Sequence, residues 1–495
     1  MGFKEYLNEN LVFLDGGMGT MLQLHGMQSG ELPEMWNLTH PDIITSVHKA
    51  YYEAGSNVVS TNTFGANSLK FSDEDLEQII KAAVGNAENA RREFNDNTER
   101  FIALDIGPTG RLMAPFGDLD FDDAVAIFGK TVALGVKYGV DLIIIETMTD
   151  AYETKAAVLA AKENSNLPIL VSNAYSNGGR LLTGATPSIM VSLLEGLDVD
   201  AIGANCSFGP RQLSQVAEEI IQKSSLPTTL KPNAGLPQMV DGKVVYDVKA
   251  DEFGAEVTLM VKKGISAVGG CCGTTPEYIR SLTDCSKGLI RCENTEKEIT
   301  SICSRSKAVE FDGNCVTMGN IEIPFTCENM DDIIDAAFDL QDEEVNIISI
   351  NAKNLDADSK LLKDAVNEWQ SMIDIPLMIN FDNPFVLENI LRYYNGKAMV
   401  GDIAPEEKVL TEILPILKKY GGVAVIKLEN NNDYLKISQK VIEKAQEFGI
   451  HKKNIIFDMS IGELRDAKLQ EIKKQYGENS FIDSIKTTST IQLLR

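Results

Sequence analysis

Eight apolar stretches recur through residues 1–285, and most of them end on or beside a polar, acidic or sulfur-bearing residue. They are Leu11–Asp15, Asn57–Asn62, Phe101–Ile106, Val140–Glu146, Pro168–Asn173, Ala201–Cys206, Thr228–Asn233 and Ile265–Gly270. Amphipathic stretches such as Asp42–Ala54 and Phe121–Tyr138 lie between most of them. Short apolar runs alternating with helical periodicity read as parallel strands joined by helical crossovers. Eight such units in about 285 residues is the arithmetic of a (β/α)8 TIM barrel, with a doubly wound α/β sheet as the competing arrangement. In a barrel the C-terminal strand ends converge on one face, and that face carries the chemistry. Asp15, Asn62, Asp105, Glu146, Asn173, Cys206, Asn233 and Cys271 all fall at or near those ends.

Two of these positions are cysteines in glycine- or asparagine-rich turns, and a third cysteine, Cys272, directly follows Cys271. Gly269-Gly270-Cys271-Cys272-Gly273 follows one apolar run, and Asn205-Cys206-Ser207 follows another. Vicinal cysteines are poorly placed to form a disulfide with each other, because the geometry strains the intervening peptide. Three thiolates at two strand ends suit a tetrahedral zinc with one position left open, the pattern of a catalytic site. Inert packing is the ordinary fate of a free cysteine, and the flanking glycines argue against it here. Cys285, Cys292, Cys303, Cys315 and Cys327 lack this context and read as bystanders. His25, His40, His48 and His451 are the only histidines, and none lies near the trio in sequence. The run Gly16-Gly17-Met18-Gly19 has the wrong spacing for a dinucleotide fingerprint.

Residues 286–308 are polar and aperiodic and read as a linker. Residues 309–495 alternate again, with strands expected at Cys315–Glu322, Val345–Asn351, Ile375–Phe381, Lys397–Asp402, Gly421–Leu428 and Asn454–Asp458, and a seventh over Phe481–Thr488. That is short for a whole barrel, so an incomplete one is expected. Its open sheet edges need cover, which makes a homodimer plausible. The net charge of −26 argues against nucleic acid or an anionic membrane as partner. No apolar run approaches the roughly 20 residues of a membrane span. Met1-Gly2-Phe3-Lys4-Glu5 lacks the apolar core of a signal peptide. Eight cysteines without such a signal fit reduced thiols in the cytoplasm.

The ordered set Leu14-Asp15-Gly16-Gly17-Met18-Gly19-Thr20, Asn37-Leu38-Thr39-His40-Pro41, Thr61-Asn62-Thr63-Phe64, Ile106-Gly107-Pro108-Thr109-Gly110, Ile145-Glu146-Thr147, Asn205-Cys206-Ser207 and Gly269-Gly270-Cys271-Cys272-Gly273 resembles the homocysteine-binding domain of cobalamin-dependent methionine synthase and its homocysteine S-methyltransferase relatives. The resemblance covers residues 1–285. It implies that Cys206, Cys271 and Cys272 bind Zn2+, that Glu146 holds the homocysteine amino group, and that the loop Asp15, Gly16, Gly17, Met18, Gly19 and Thr20 contacts substrate through its backbone, with Asn62 and Asn205 close by. Ser60 stands where the family often has Glu. Residues 309–495 are similar, more loosely, to the pterin-binding barrel of those synthases. Asp382-Asn383-Pro384 and Ile455-Ile456-Phe457-Asp458 keep its register, but Ser349-Ile350-Asn351, Ile379-Asn380-Phe381-Asp382 and Gly401-Asp402 replace its polar residues. This argues against tetrahydrofolate binding and for a degenerate pterin-binding-like barrel.

No histidine has an aspartate two residues before it, so the cobalt-ligating loop of corrinoid domains is missing from this sequence. A methylcorrinoid such as methylcobalamin is therefore expected on a separate corrinoid protein. Free thiols are mostly protonated at neutral pH, and zinc binding deprotonates them. Thiolate ligands without histidine favour alkylation of a thiol over hydrolysis, which usually employs His and carboxylate ligands. The expectation is a zinc-dependent homocysteine S-methyltransferase that makes methionine. The competing expectations are a corrinoid-independent transferase using S-methylmethionine or a betaine, a folate-linked methionine synthase module, and a non-enzymatic scaffold for a corrinoid protein.

Overall fold

The computed structural model describes residues 1–240, 243–312, 316–355, 358–428, 433–458, 474 and 485–491. The chain divides into two compact units, one formed by Met1–Met113, Asp118–Val191 and Val199–Glu296, the other chiefly by Lys297–Arg495.

In the first unit the barrel strands are β1 (Val12–Phe13), β2 (Val58–Ser60), β3 (Phe101–Ile106), β4 (Leu142–Met148), β5 (Ile169–Asn173), β6 (Ala201–Asn205) and β7 (Thr228–Lys231). A hairpin, β8 (Pro237–Val240) and β9 (Lys243–Tyr246), intervenes before the last barrel strand, β10 (Ala267–Val268). The parallel sheet runs β1-β10-β7-β6-β5-β4-β3-β2. It nearly closes where the Asn57 N–H donates to Phe13 O at 2.6 Å and the Phe13 N–H donates to Asn57 Oδ1 at 3.0 Å. This is the (β/α)8 architecture expected. Every residue of β3 is buried, because helices cover the sheet outside and side chains fill it inside.

The barrel core lies toward the strands' N-terminal ends, where Val12, Val58, Phe101, Ala103, Leu142, Ile144, Leu170, Ala201 and Ala267 form one cluster. The short helix Phe3–Glu9 adds Phe3 and Leu7 to it. This end is filled with hydrocarbon, so polar side chains gather at the other. β1 and β10 are only two residues long, where the apolar runs suggested five or six. Past β10 the Gly269 N–H still donates to Leu230 O at 3.0 Å and the Gly270 N–H to Asp15 O at 2.9 Å, so backbone contact with both neighbours continues into the turn.

In the second unit, β11 (Thr300–Cys303) and β12 (Ala308–Phe311) form an antiparallel hairpin. Part of the stretch expected to be a linker is thus a strand, which its lack of periodicity concealed. The strands β13 (Val316–Pro324), β14 (Ile347–Ala352), β15 (Leu377–Phe381), β16 (Ala398–Ile403), β17 (Gly422–Lys427), β18 (Ile455–Asp458) and β19 (Ile485–Ile491) make a seven-stranded sheet in the order β18-β17-β16-β15-β14-β13-β19. β19 pairs in parallel with β13, later in the chain than Phe481–Thr488 suggested; residues 481–484 lie outside the described residues, as does Cys315. Ile302 and Phe311 of the hairpin pack with Val316, Ile347, Met378, Met399, Val423 and Ile456. Among the described residues, no helix is long and apolar enough to cross a membrane.

Candidate metal centre and substrate cavity

β6 delivers Cys206 through a strained turn. Cys206 and Ser207 take φ values of 59° and 62°, the left-handed region that non-glycine residues rarely occupy. The turn is held by the Cys206 N–H, which donates to Lys231 O at 3.0 Å, and by the Phe208 N–H, which donates to Cys206 O at 2.7 Å. β10 delivers Cys271 and Cys272. A Cβ on Gly270 would lie 2.3 Å from Thr274 Oγ1, and one on Gly17 would lie 2.7 Å from Cys271 O. Those glycines let the two loops touch. The Cys271 N–H donates to Pro232 O at 2.8 Å, and the Cys272 N–H to Asn233 Oδ1 at 3.0 Å.

The three Sγ atoms lie within 4.8 Å of one another, and Cys206 and Cys272 are 4.0 Å apart. Sulfurs sharing one tetrahedral zinc at about 2.3 Å sit roughly 3.8 Å apart, so the trio lies near the spacing such an ion needs. The thiols share their protons unevenly. Hydrogen bonds from Cys271 and Cys272 hold Cys206 well below the usual thiol range. Cys271 and Cys272 are pushed up, chiefly by their bonds to Cys206.

The sulfurs face a cavity of about 440 Å³ whose walls include Asp15 to Thr20, Asn62, Asp105, Glu146 and Tyr246. Asp15 is buried, with Oδ2 accepting from the Ser60 N–H at 2.7 Å and Oδ1 from Ser60 Oγ at 3.2 Å. Desolvation pushes its carboxyl up to about 6, against the opposing pull of Lys231. Ser60, noted in the sequence as a departure, is thus the clamp on Asp15. Asp105 is raised further, first by burial and then by the Glu146 charge, and its Oδ1 has no hydrogen-bond partner. Lys231 Nζ lies 2.7 Å from Glu146 Oε2 and 3.6 Å from Asp15 Oδ1. Burial is the largest single influence on this ammonium and favours its neutral form, yet Glu146, Asp15 and Asp105 together hold it charged.

Gly17, at the start of the helix Met18–Leu24, donates its N–H to Thr274 Oγ1 at 3.1 Å, and Thr20 Oγ1 accepts from the Gly273 N–H at 2.9 Å. The loop Asp15–Thr20 and the cysteine loop are therefore one hydrogen-bonded unit. Asn62 reaches the cavity wall, but its Nδ2 donates to Pro33 O at 2.7 Å. Asn205 is buried behind the wall and lines no part of the cavity. Asn173 bonds Thr154 Oγ1 at 3.2 Å, away from the cysteines. His40 stacks on Trp36, and His48 is fully buried in the helix Pro41–Glu53 with burial holding it near 4.

Sequence reasoning missed Lys231, Tyr246 and Thr147. Lys231 carried the available signal: it ends β7 at the level where the other strands carry Asp15, Glu146 and Cys206. Tyr246 lies on the unexpected hairpin, its ring packed where a Cβ on Gly273 would fall.

A family model described as Homocysteine S-methyltransferase matches residues 12–286. Methionine synthase from Mycobacterium tuberculosis (strain ATCC 25618 / H37Rv) is similar at 23% identity, covering 92% of this chain and 42% of that protein. Methionine synthase from Mycobacterium leprae (strain TN) is similar at 24% identity with the same coverage. The chain thus spans less than half the length of these curated relatives. Among solved structures, the metallated homocysteine methyltransferase MmuM from Escherichia coli matches with a TM-score of 0.48 and 22% identity, over 56% of this chain and 96% of that one.

Proposed function

The chain belongs to the homocysteine S-methyltransferase family, and from that premise we propose that it methylates the thiol of homocysteine to give methionine at a zinc site formed by Cys206, Cys271 and Cys272. The carrying observation is the convergence of three sulfurs, within 4.8 Å of one another, on a cavity that also holds Glu146 and Asp15. Zinc, when bound, favours the thiolate form of a coordinated substrate thiol at neutral pH.

The remaining work falls to the chain's own residues. Glu146 offers its Oε1 to the substrate ammonium while Lys231 holds Oε2. The loop Asp15–Thr20, pinned to Thr274 and Gly273, presents backbone groups to the substrate carboxylate. Holding the substrate at both its ammonium and its sulfur would keep the reacting atoms in line with the donor methyl group. The new S–CH3 bond forms as the donor–CH3 bond breaks, the donor keeps the electron pair, and the thiol proton passes to solvent.

The donor we propose is a methylcorrinoid on a separate protein, supported by the likeness of 92% of this chain to methionine synthases. The second unit would then be a degenerate pterin-type barrel. In support, Asn380 Nδ2 of β15 donates to Ser349 Oγ of β14 at 2.7 Å, so these two groups, which stand where the resembled barrel carries other polar residues, satisfy each other. The test is methionine formation from homocysteine with methylcobalamin, S-methylmethionine, glycine betaine or methyltetrahydrofolate, using wild type and Cys272→Ala. Methylcobalamin should support turnover that the variant loses, and the other three should not. Turnover with a sulfonium or betaine donor alone would replace the donor assignment, and full activity in Cys272→Ala would remove the zinc site from the reaction.

A further inference from the structure

Asn205 is the last residue of β6 and is fully buried. Its Oδ1 accepts from the Thr147 N–H at 2.8 Å and from Ser172 Oγ at 2.8 Å. Its Nδ2 donates to Thr147 Oγ1 at 2.7 Å and to Cys271 Sγ at 3.8 Å. One amide has two donors and two acceptor lone pairs, and all four are used.

The partners are not neighbours in the sheet. β5 lies between β4 and β6, and the curvature of the barrel brings parts of these two strands to within 8 Å, closer than the roughly 9.6 Å of a flat sheet with strands about 4.8 Å apart. The side chain spans that gap across Ser172, a small residue on β5 that contributes a hydrogen bond rather than an obstruction. At the far side it grips Thr147 by both backbone and side chain. Thr147 has φ 62°, a conformation that a β-branched residue keeps only when its surroundings impose it. The residue before it is Glu146, and the residue after Asn205 is Cys206.

We propose that Asn205 is a positioning residue that fixes the distance between Glu146 and the cysteine trio, and thereby the length of amino-acid thiol the cavity accepts. The inference rests on the reading that the substrate is such a thiol, held by its ammonium at Glu146 and by its sulfur at the trio. Homocysteine and cysteine differ by one methylene, and a pocket of set length separates such a pair by about 10–200-fold. An amide is required: aspartate at this position would lose both donors and set a negative charge against the sulfurs.

The test compares wild type, Asn205→Ala, Thr147→Gly and the double variant. Homocysteine and cysteine binding to zinc-loaded protein is measured by calorimetry, zinc affinity by competition with a chromophoric chelator, and folding by the melting temperature. Asn205→Ala should lose at least about tenfold of the preference for homocysteine and about 10–100-fold in zinc affinity. Adding Thr147→Gly should recover most of the preference, since glycine adopts φ 62° unaided. It should not recover the zinc affinity, because the N–H···S contact is still missing. Unchanged preference and zinc affinity in Asn205→Ala would overturn the proposal. So would a loss of both that Thr147→Gly leaves unrepaired while the melting temperature falls, which would make the role purely structural. If wild type binds neither amino acid, the functional reading fails, and the zinc measurement alone then decides whether Asn205 supports the trio.

Discussion

At the scale of single residues, the site is a problem in placing charge without water. Asp15, Asp105 and Glu146 line one cavity with a single ammonium, that of Lys231, and all four side chains are themselves buried. Asp15 shows the consequence most simply. Its carboxyl is raised from an ordinary 3.8 to about 6 by desolvation, so the native state binds its proton more tightly than the unfolded chain does. Stability from neutral Asp15 is fully present below about pH 4 and is lost as pH rises through about 6, a difference of about 3 kcal/mol. Asp15→Asn should therefore gain about that much relative to wild type between pH 4 and 7, measured by urea unfolding of metal-free protein. A constant difference across that range would show that Asp15 is ionised throughout. The acidic and sulfur members of the site were legible in the sequence because each lies at or near the end of an apolar run. Lys231 was not, because a lysine beside a proline also reads as an ordinary strand exit, and only the fold brings it to Glu146 across β5 and β6. Asn205 was expected beside the substrate from the resemblance alone, and its place behind the cavity wall was not legible. Nothing in a strand's own sequence tells which neighbour's backbone its last side chain will reach.

At the scale of elements, the alternation of apolar run and helix was enough to define the barrel, since long buried strands such as Phe101–Ile106 have hydrophobic residues on both faces. The hairpins escaped. β8 and β9 are four residues each, and their apolar runs, Met239-Val240 and Val244-Val245-Tyr246, are shorter than those of the barrel strands, although Asp241-Gly242 in the sequence is a dipeptide favoured in two-residue hairpins. β11 and β12 pair only with each other within their sheet, so their sequences carry little of the pattern of a central strand. Strand packing also sets a requirement that periodicity cannot express. A Cβ on Gly203 of β6 would lie 2.1 Å from Thr229 O on β7, and that carbonyl is backbone. Gly203→Ala should push the two strands apart at a cost of about 3 kcal/mol or more. Because Asn205 and Cys206 follow on the same strand, zinc affinity should fall with stability, both read on the one purified variant. Wild-type zinc affinity would mean that the displacement relaxes before it reaches Cys206.

At the scale of the whole molecule, the cysteines tie together chain segments that are remote in sequence. Cys206 and Cys271 follow β6 and β10, with β7 between them in the sheet. A zinc bound only by the folded form adds stability by mass action, about 2.7 kcal/mol at a free concentration one hundred times Kd. Chelator treatment should lower the melting temperature, and excess zinc should restore it, with Cys272→Ala insensitive to both; an unchanged melting temperature in wild type would separate the trio from metal. The closure of the barrel carries a different consequence. Val12 of β1 pairs with Ala267 of β10, 255 residues further along. At about 5–20 residues per second, a ribosome needs roughly 13–50 s to make that interval. During that time β1 has no partner on one side, and Cys206 has neither of the sulfurs it will join. The three sulfurs come together only when the barrel closes, so a half-made chain has no finished pocket for the proposed zinc, and loading would have to follow closure of the barrel.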